Sequence, residues 1–285
     1  MITIENCILR LSVDEHGAQM RSLFDIENGK EYLWQADPDI WGRTAPVLFP
    51  AVGTVHENGY IYKDKEYPMP KHGFARDSEF AVEEKTQSKL VLALRPDEKI
   101  KEKYPFDFVF RTKFELEGRK LSFSYEVENS GNEDIYFSLG AHPGFNCKHG
   151  DKIIFEKNEN TSAVFYDGSD RPKANVPPVE LCGNEMILTK DLFDEGSLSF
   201  ADIASESVSL VRDGKAYMKM SFGKVPHLWL WSKPGAEFVC IEPWHGANEC
   251  IPEKDITKKD GIIALAPKKT FVFHITVEIQ EKSKS

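Results

Sequence analysis

Residues 106–127 constrain the fold of this chain more than any other stretch of its sequence. Apolar side chains alternate with polar ones from Phe106 to Leu116, and the alternation resumes at Leu121 after the turn Glu117-Gly118-Arg119-Lys120. A period of two residues is typical of a strand with one buried face. The segment therefore predicts an antiparallel hairpin with an aromatic inner face.

Similar short strand signals recur along the chain, whereas helical signals are weak. Besides the hairpin, strands are predicted at residues 8–13, 90–94, 135–139, 208–211, 217–222, 228–231, 238–241 and 270–279. Helical turns are predicted only at 38–41, at 188–193 and near 252–260. Many short strands with almost no amphipathic helix predict an all-β fold, an antiparallel sandwich with few short helices.

The length of 285 residues allows one large β domain or two average ones. We find no linker, low-complexity segment or internal repeat, and we therefore predict a single domain over residues 1–285. Residues 157–182 are rich in Asn, Pro, Ser and Asp. We expect them to form a long surface loop that could line a cleft.

Composition narrows the partners and the compartment. The 46 acidic and 36 basic residues give a formal charge of −10, which argues against a nucleic-acid or anionic-membrane partner. No segment approaches the roughly 18 apolar residues of a membrane span, and no signal peptide is visible. The five cysteines, at positions 7, 147, 182, 240 and 250, are scattered and lack C-x-x-C spacing. We therefore expect a reducing cytoplasm and no disulfide framework.

Three motifs each place one titratable side chain among glycine, proline and aromatic residues, near the end of a predicted strand. They are Lys71-His72-Gly73-Phe74-Ala75-Arg76, Gly140-Ala141-His142-Pro143-Gly144-Phe145 and Cys240-Ile241-Glu242-Pro243-Trp244. Two histidines and a carboxylate suit proton transfer to and from a neutral substrate. Aromatic neighbours suit a sugar ring, because its C–H faces pack on aromatic rings.

His142 and Glu242 each allow a functional and a structural interpretation. The proline after each residue favours an extended backbone. His142 is either a general acid or base, or a histidine that hydrogen-bonds a neighbouring loop. Glu242 follows an apolar, central strand, where a carboxylate must be paired or face a polar pocket. It is therefore either a positioned base or half of a buried ion pair with Arg43 or Arg76.

Other motifs allow fewer conclusions. Arg43 lies in an apolar stretch, so it needs a carboxylate or a ligand oxygen as partner. Trp229 and Trp231 share one face of a predicted strand and could supply a stacking surface. The chain has no nucleotide-binding, nucleophile-elbow or H-E-x-x-H motif. None of its eight histidines has the spacing of a local metal triad, which leaves a distributed metal site open.

Taken together and in this order on a β-rich chain, the three motifs resemble the galactose mutarotase (aldose 1-epimerase) superfamily, in particular its LacX-like branch. The likeness begins at Gly17-Ala18 and continues through Trp41-Gly42-Arg43 to the third motif. It implies a β-supersandwich with an open cleft on one concave sheet. It also implies reversible interconversion of the α and β anomers of an aldose, with no cofactor and no metal.

The resemblance also implies a role for each member of the acid–base pair. Glu242 would take the proton from the anomeric hydroxyl, and His142 would protonate the ring oxygen. The ring opens, the C1–C2 bond rotates, and closure on the other face reverses both transfers. Because Glu242 must be ionised and His142 protonated, we predict a bell-shaped pH profile. A flat profile between about pH 5 and pH 9 would count against these roles.

For substrate binding, the resemblance implies that His72 and Arg43 hold the sugar, with Arg76 as a further candidate. The residues themselves suggest Trp229 as a stacking surface, and Asp194 is a guess for an aspartate that grips sugar hydroxyls. We prefer a neutral hexose such as galactose or glucose. The alternatives are a hexose 6-phosphate, with Lys71 and Arg76 as the candidate cations for its phosphate, and a carbohydrate-binding protein without turnover. A monomer and a homodimer remain equally open.

Overall fold

A computed structural model of the chain describes residues 1–169, 171–247 and 253–280. These residues form antiparallel sheets, and the predicted all-β sandwich is confirmed. The strands in chain order are β1 Ile2–Glu5, β2 Leu9–Val13, β3 Met20–Asp25, β4 Lys30–Glu31, β5 Val47–Leu48, β6 Gly59–Tyr62, β7 Lys65–Pro68, β8 Ala81–Lys85, β9 Lys89–Leu94, β10 Phe108–Glu117, β11 Lys120–Asn129, β12 Ile135–Phe137, β13 Leu139–Ala141, β14 Gly144–Asn146, β15 Lys152–Phe155, β16 Val164–Tyr166, β17 Glu185–Ile187, β18 Ser197–Ala201, β19 Ser207–Arg212, β20 Lys215–Ser221, β21 His227–Trp231, β22 Phe238–His245, β23 Ile263–Leu265 and β24 Thr270–Ile279.

Two large sheets dominate the fold. The nine-stranded sheet has the order β17-β15-β19-β20-β24-β11-β10-β9-β8. The seven-stranded sheet has the order β16-β18-β21-β22-β13-β5, and β14 also pairs with β22. A four-stranded sheet, β1-β2-β3-β4, and the two-stranded pairs β6-β7 and β12-β23 complete the arrangement.

The hairpin predicted from the alternation is present as β10 and β11. Phe114 pairs with Phe123, and Leu116 pairs with Leu121 across the turn. The apolar side chains of the inner face of both strands are buried, and the hairpin lies within the nine-stranded sheet. The other predicted strands are also found. Residues 135–139 divide into β12 and β13, because β12 pairs with β23 whereas β13 pairs with β22.

Helical structure is as sparse as the sequence predicts, but it lies partly elsewhere. Residues 38–40 and 190–195 form turns rather than helices. The third predicted helix is a 3-10 turn at Ile256–Lys258, and position 252 lies outside the described residues. A single α-helical turn at Glu98–Lys101 was not predicted, and Asp97 caps it by accepting a hydrogen bond from Ile100 N. Further 3-10 turns are His56–Asn58 and Ala75–Asp77.

The side chains on the two faces of the seven-stranded sheet lie in different environments. Leu230 of β21 and Ile241 of β22 point into the main hydrophobic core. Trp229 and Trp244 belong to a separate small cluster. Strand β22 is central, as predicted, because it pairs with β21 on one side and with β13 and β14 on the other. The face opposite the core is therefore available for a site. No helix in the described residues is long and apolar enough to span a membrane.

Candidate active site

The acid–base candidates meet where β13 and β14 both pair with β22. His142 lies in the short break between β13 and β14. The two strands pair with β22 in one continuous register, so His142 comes level with Glu242 across the sheet. His142 Nε2 lies 3.3 Å from Glu242 Oε1. The register of three strands therefore brings together two residues that are far apart in the sequence.

Burial controls the chemistry of this pair. His142 is 8% exposed and Glu242 is 3% exposed. Burial lowers the pKa of His142 from 6.5 to about 3, and the positive charges of Arg76, Lys71 and Arg43 act in the same direction. The imidazole of the free protein is therefore neutral near pH 7. The contact observed for the Glu242 carboxylate is with the His142 imidazole, at 3.3 Å.

Tryptophan side chains form the floor and one wall of the site. Trp229 pairs with Glu242 in the β21–β22 register and stacks on Trp244, with ring centroids 4.6 Å apart. Trp229 is almost fully buried, whereas Trp231 is half-buried. Trp231 meets the edge of Trp41 at 5.2 Å. Together these rings give the cleft the apolar surface that the C–H face of a sugar requires.

His72 is held in one tautomer. Its Nδ1 accepts a hydrogen bond of 3.0 Å from Gly53 N, so the neutral ring carries its proton on Nε2. Burial lowers the pKa of His72 well below its ordinary value, and protonation of His142 or the charges of Arg76, Lys71 and Arg43 act in the same direction. The rings of His72 and His142 lie edge to face, with centroids 5.7 Å apart. His72 is therefore a hydrogen-bond donor beside the acid–base pair.

The glycine after His72 is required by the packing of its loop. Gly73 has φ of +72°, and a Cβ there would lie 2.2 Å from the carbonyl oxygen of Phe49. The same oxygen accepts hydrogen bonds from Phe74 N and Ala75 N, at 3.1 Å and 3.0 Å. Gly73 thus lets the loop of the first motif lie directly on the segment after β5.

Two arginines stand beside the pair and share one carboxylate. Arg43 Nη2 lies 2.7 Å from Asp77 Oδ1, and Arg76 Nε lies 3.6 Å from Asp77 Oδ2. Arg76 Nη2 also donates to the carbonyl oxygen of Lys71 at 2.7 Å. Burial lowers the pKa of Arg76, and the charge of Arg43 adds to this effect. Asp77 therefore fixes both guanidinium groups at the cleft.

The cleft over these residues has a volume of about 390 Å³. This lies in the range of roughly 300–1,000 Å³ typical of small-molecule sites. Its charged lining comprises four cations, which are Arg43, Lys71, Arg76 and Lys233, and two carboxylates, which are Asp167 and Glu242. A shallower depression of about 480 Å³ lies on the nine-stranded sheet. Charges there are paired with each other, as in the pairing of Arg111 with Glu83 and Glu128.

Six of the seven residues predicted for the site line this cleft. They are Glu242, His142, His72, Arg43, Arg76 and Trp229. Asp194 does not line it, because it lies in an exposed turn between β17 and β18. We therefore correct that assignment. The aspartate at the cleft is Asp167, which directly follows β16. Residues 157–182 were predicted to form one long surface loop, but they contain β16, which pairs with β18.

Asp167 organises the turn that follows β16. Its Oδ1 accepts hydrogen bonds from Ser169 N at 2.8 Å and from Arg171 N at 3.1 Å. The hydrogen bond from the Ser169 side chain, together with these backbone donors, lowers the pKa of Asp167. It is therefore an ionised acceptor at the rim of the cleft.

Sequence reasoning missed Trp41 as a site residue. Its ring stacks on His142 with centroids 5.2 Å apart and on Phe238 with centroids 5.4 Å apart. A Cβ at Gly144 would lie 2.9 Å from Trp41 Cζ3, so this glycine makes room for the ring. Gly144, directly after His142-Pro143, was the sequence feature that could have indicated a bulky neighbour at this point. Tyr166 and Lys233 were also missed, and both lie outside the three motifs.

One group of possible metal ligands lies in the site. Donor atoms of His142, Cys240 and Glu242 all fall within 4.8 Å of one another, and all three residues are buried. The described cysteines Cys7, Cys147, Cys182 and Cys240 are free thiols. Cys250 lies outside the described residues.

Comparison with known proteins identifies the family. The family model for aldose 1-epimerase matches residues 1–181, more than half of the chain. The chain belongs to the aldose 1-epimerase family. The plasmid-encoded protein LacX of Lactococcus lactis subsp. lactis is 31% identical, over 90% of this chain and 91% of its own length. The chromosomal LacX of the same organism is 30% identical over the same shares.

Solved structures agree with this family. A galactose mutarotase related enzyme from Lactobacillus acidophilus superposes with a TM-score of 0.90 at 30% identity, covering 99% of this chain and 98% of that one. A galactose mutarotase-like protein from Lactobacillus casei gives a TM-score of 0.89 at 29% identity, covering 98% and 100%. The predicted resemblance to this superfamily and its LacX-like branch is confirmed.

Proposed function

We propose that this protein is an aldose 1-epimerase that interconverts the α and β anomers of a hexose such as galactose or glucose. The observation that carries the proposal is the 3.3 Å separation of His142 Nε2 and Glu242 Oε1 in an aromatic cleft. The two oxygens that exchange protons in this reaction, O1 and O5, are bonded to the same carbon. An acid and a base that serve them must therefore be close neighbours.

In the proposed mechanism, the Glu242 carboxylate removes the proton from the anomeric O1 hydroxyl. The C1–O5 bond breaks, O1 becomes the carbonyl oxygen of an open-chain aldehyde, and His142 gives a proton to O5. Rotation about the C1–C2 bond presents the other face of the aldehyde to the O5 hydroxyl. On closure His142 takes the proton back from O5, and Glu242 returns a proton to O1. The net reaction moves no electrons and consumes no co-reactant.

The remaining cleft residues would hold the sugar. His72 offers a fixed N–H donor, and Arg43 and Arg76 offer charged donors to ring hydroxyls. Asp167 would accept a hydrogen bond from a hydroxyl at the rim. Trp229 is almost fully buried against Trp244 and supports the aromatic floor, whereas the half-buried Trp231 offers the more open ring on which the sugar would pack.

The decisive experiment measures how fast fresh α-D-glucose and α-D-galactose reach anomeric equilibrium, by polarimetry or NMR. We expect the wild-type protein to accelerate the exchange. Glu242→Gln and His142→Asn should each lose about 10²–10⁴-fold of that acceleration while remaining folded. Asp194→Asn is the matched control, because its exposed turn lies outside the cleft, and it should keep the wild-type rate. Full activity in either pair variant would contradict the assigned roles.

A second candidate substrate is a phosphorylated aldose. The observation in its favour is that four cations line the cleft, against two carboxylates in the lining and Asp77, which pairs with Arg43 and Arg76 from beside it. Arg43, Lys71, Arg76 and Lys233 could together neutralise a phosphate dianion. Comparing kcat/KM for glucose and glucose 6-phosphate in wild type and Lys233→Ala tests this. A preference for the phosphate that Lys233→Ala removes would favour the second candidate.

A carbohydrate-binding protein without turnover is the remaining alternative. Saturable binding of a sugar, with no acceleration of anomer exchange for either the sugar or its phosphate, would favour it. The buried acid–base pair argues against it, because binding alone needs hydroxyl contacts rather than a proton donor beside an acceptor. The cytoplasmic location and the state of monomer or homodimer stay predictions.

A further inference from the structure

Cys240 is a buried thiol beside the acid–base pair that the proposed mechanism does not use. It lies on β22 two residues before Glu242, so the two side chains share one face of the strand. Its side chain is completely buried. A nucleophilic or redox-sensing cysteine needs solvent access, which Cys240 lacks. The role of this thiol must therefore come from its neighbours.

Together with Cys240, the neighbouring His142 and Glu242 provide three different types of metal-ligating atom. The donor atoms of His142, Cys240 and Glu242 lie within 4.8 Å of one another. Imidazole nitrogen, thiolate sulfur and carboxylate oxygen are the three ligand types that Zn²⁺ prefers in proteins. In the described residues, this is the one cluster of at least three such groups close enough to share an ion.

The geometry of two of the ligands already fits. Tetrahedral Zn²⁺ with bonds of about 2.0–2.1 Å to nitrogen and oxygen places these two atoms about 3.3–3.4 Å apart. His142 Nε2 and Glu242 Oε1 are 3.3 Å apart. A Zn–S bond of about 2.3 Å puts the sulfur about 3.5 Å from each of them. The Sγ atom therefore needs to approach by little more than 1 Å. The fourth position would remain for water or a sugar hydroxyl.

We propose that His142, Cys240 and Glu242 form an inhibitory binding site for Zn²⁺ or a related thiophilic divalent cation. On binding, the Cys240 thiol releases its proton to solvent and forms the metal–sulfur bond, with no change of oxidation state. Thiolate and carboxylate then balance the two charges of the ion. The nearby charges of Arg43 and Arg76 oppose the ion, which makes the site reversible rather than a permanent structural centre.

The ion would stop proton transfer because it occupies the atoms that carry it. His142 Nε2 would donate its lone pair to the metal, and the Glu242 oxygen would no longer be a free base. This inhibitory consequence rests on the proposed function, whereas the binding of the ion does not. The two can therefore be tested separately.

Binding is tested with Co²⁺ as a spectroscopic probe of the metal-free, folded protein. We expect one Co²⁺ per chain and a thiolate-to-metal charge-transfer band, both displaced by Zn²⁺. Cys240→Ser should lose the band. Cys147→Ser is the matched control and should keep it, because Cys147 is also a buried free thiol, directly after β14. Absence of the band in the wild type, or its survival in Cys240→Ser, would overturn the proposal.

Inhibition is tested by following anomer exchange at increasing Zn²⁺ concentrations, each variant being compared with its own metal-free rate. We expect Zn²⁺ to abolish wild-type activity and EDTA to restore it. Cys240→Ser should need at least about tenfold more Zn²⁺ for half-inhibition, and Cys147→Ser should behave as wild type. Equal sensitivity of all three proteins would refute the inhibitory site. A protein without epimerase activity would still show the Co²⁺ band if the site is correct.

Discussion

His142 combines two demands that oppose each other. Burial under Trp41 holds the ring in place next to Glu242, but the same burial favours the neutral imidazole. An acid that donates to a ring oxygen must carry a proton, so the active form of the free protein is a minor species near pH 7. The proposed proton transfer should therefore become slower as the pH rises, because the protonated fraction of His142 falls.

The first prediction concerns this dependence. The pH dependence of kcat/KM reports the pKa values of the free protein, in which the pKa of His142 lies below its ordinary value of 6.5. The fall of kcat/KM on the alkaline side should therefore begin below pH 6.5. Above that point the protonated fraction of His142, and kcat/KM with it, should fall by about tenfold per pH unit. NMR exchange rates at a series of pH values provide the measurement. A kcat/KM that is constant between about pH 6 and pH 9 would instead assign His142 to hydrogen bonding as a neutral ring.

The second prediction compares two aspartates of similar sequence setting and different location. Asp167 lines the cleft, whereas Asp194 lies in an exposed turn. Asp167→Ala removes a charged acceptor, so we expect KM to rise by an amount equivalent to about 1.5–3 kcal/mol. Asp194→Ala should leave KM unchanged. Initial rates over a range of sugar concentrations decide the matter, and equal KM values for the two variants would remove Asp167 from the proposed site.

At the scale of elements, β22 carries both the core and the site. Val239 and Ile241 face the main core, whereas Cys240 and Glu242 face the cleft side. Residues 238–241 are apolar on both faces, which is why the strand and its central position were predicted. The position of His142 opposite Glu242 could not be predicted from the sequence, because it depends on the register of β13 and β14 against β22.

Several strands were not predicted because they have neither an apolar run nor a visible period of two residues. Strand β8 is an edge strand exposed along its whole length, so no apolar periodicity marks it. Strands β4 and β5 have two residues each, too few to show a period. Asp194 was misassigned because its exposed turn is closed by local hydrogen bonds, such as that from Asp194 N to the Asp191 carbonyl oxygen, and local sequence does not tell where such a turn lies relative to the cleft. The motifs with glycine and proline beside a titratable residue all lie at the cleft.

The third prediction tests the loop that carries His72. Gly73→Ala places a Cβ 2.2 Å from the Phe49 carbonyl oxygen, in a left-handed backbone. Gly214→Ala is matched in φ, at +73°, but its Cβ meets no atom within 4 Å. We expect Gly214→Ala to lower the free energy of unfolding by about 1–2 kcal/mol and Gly73→Ala by roughly 1–3 kcal/mol more.

Urea unfolding measures both variants. Gly73→Ala should also slow anomer exchange, because the shift moves His72 away from the pair, and Gly214→Ala should not. Equal stability of the two proteins would show that the loop accommodates a side chain at Gly73 without displacement.

At the scale of the whole molecule, aromatic side chains join the site to the opposite sheet. Phe49 follows β5 of the seven-stranded sheet, and its ring stacks on Phe110 of β10 with centroids 4.5 Å apart. It also meets Phe137 at 5.7 Å. The backbone of Phe49 supports the His72 loop, so one residue links the core to the cleft. A continuous core of this kind accords with the predicted single domain, which stays a prediction.

The fourth prediction follows from this position. Phe49→Ala removes a fully buried ring between the two large sheets, so the free energy of unfolding should fall by about 3–5 kcal/mol. Phe49→Leu keeps most of the apolar volume and should cost less than about 1.5 kcal/mol. Val272→Ala, at a 52% exposed position of β24, should change stability by no more than about 0.5 kcal/mol. Urea unfolding followed by tryptophan fluorescence gives all three values. A Phe49→Ala protein as stable as Val272→Ala would mean that the sheets are held together elsewhere, and the proposed link between core and cleft would then fail.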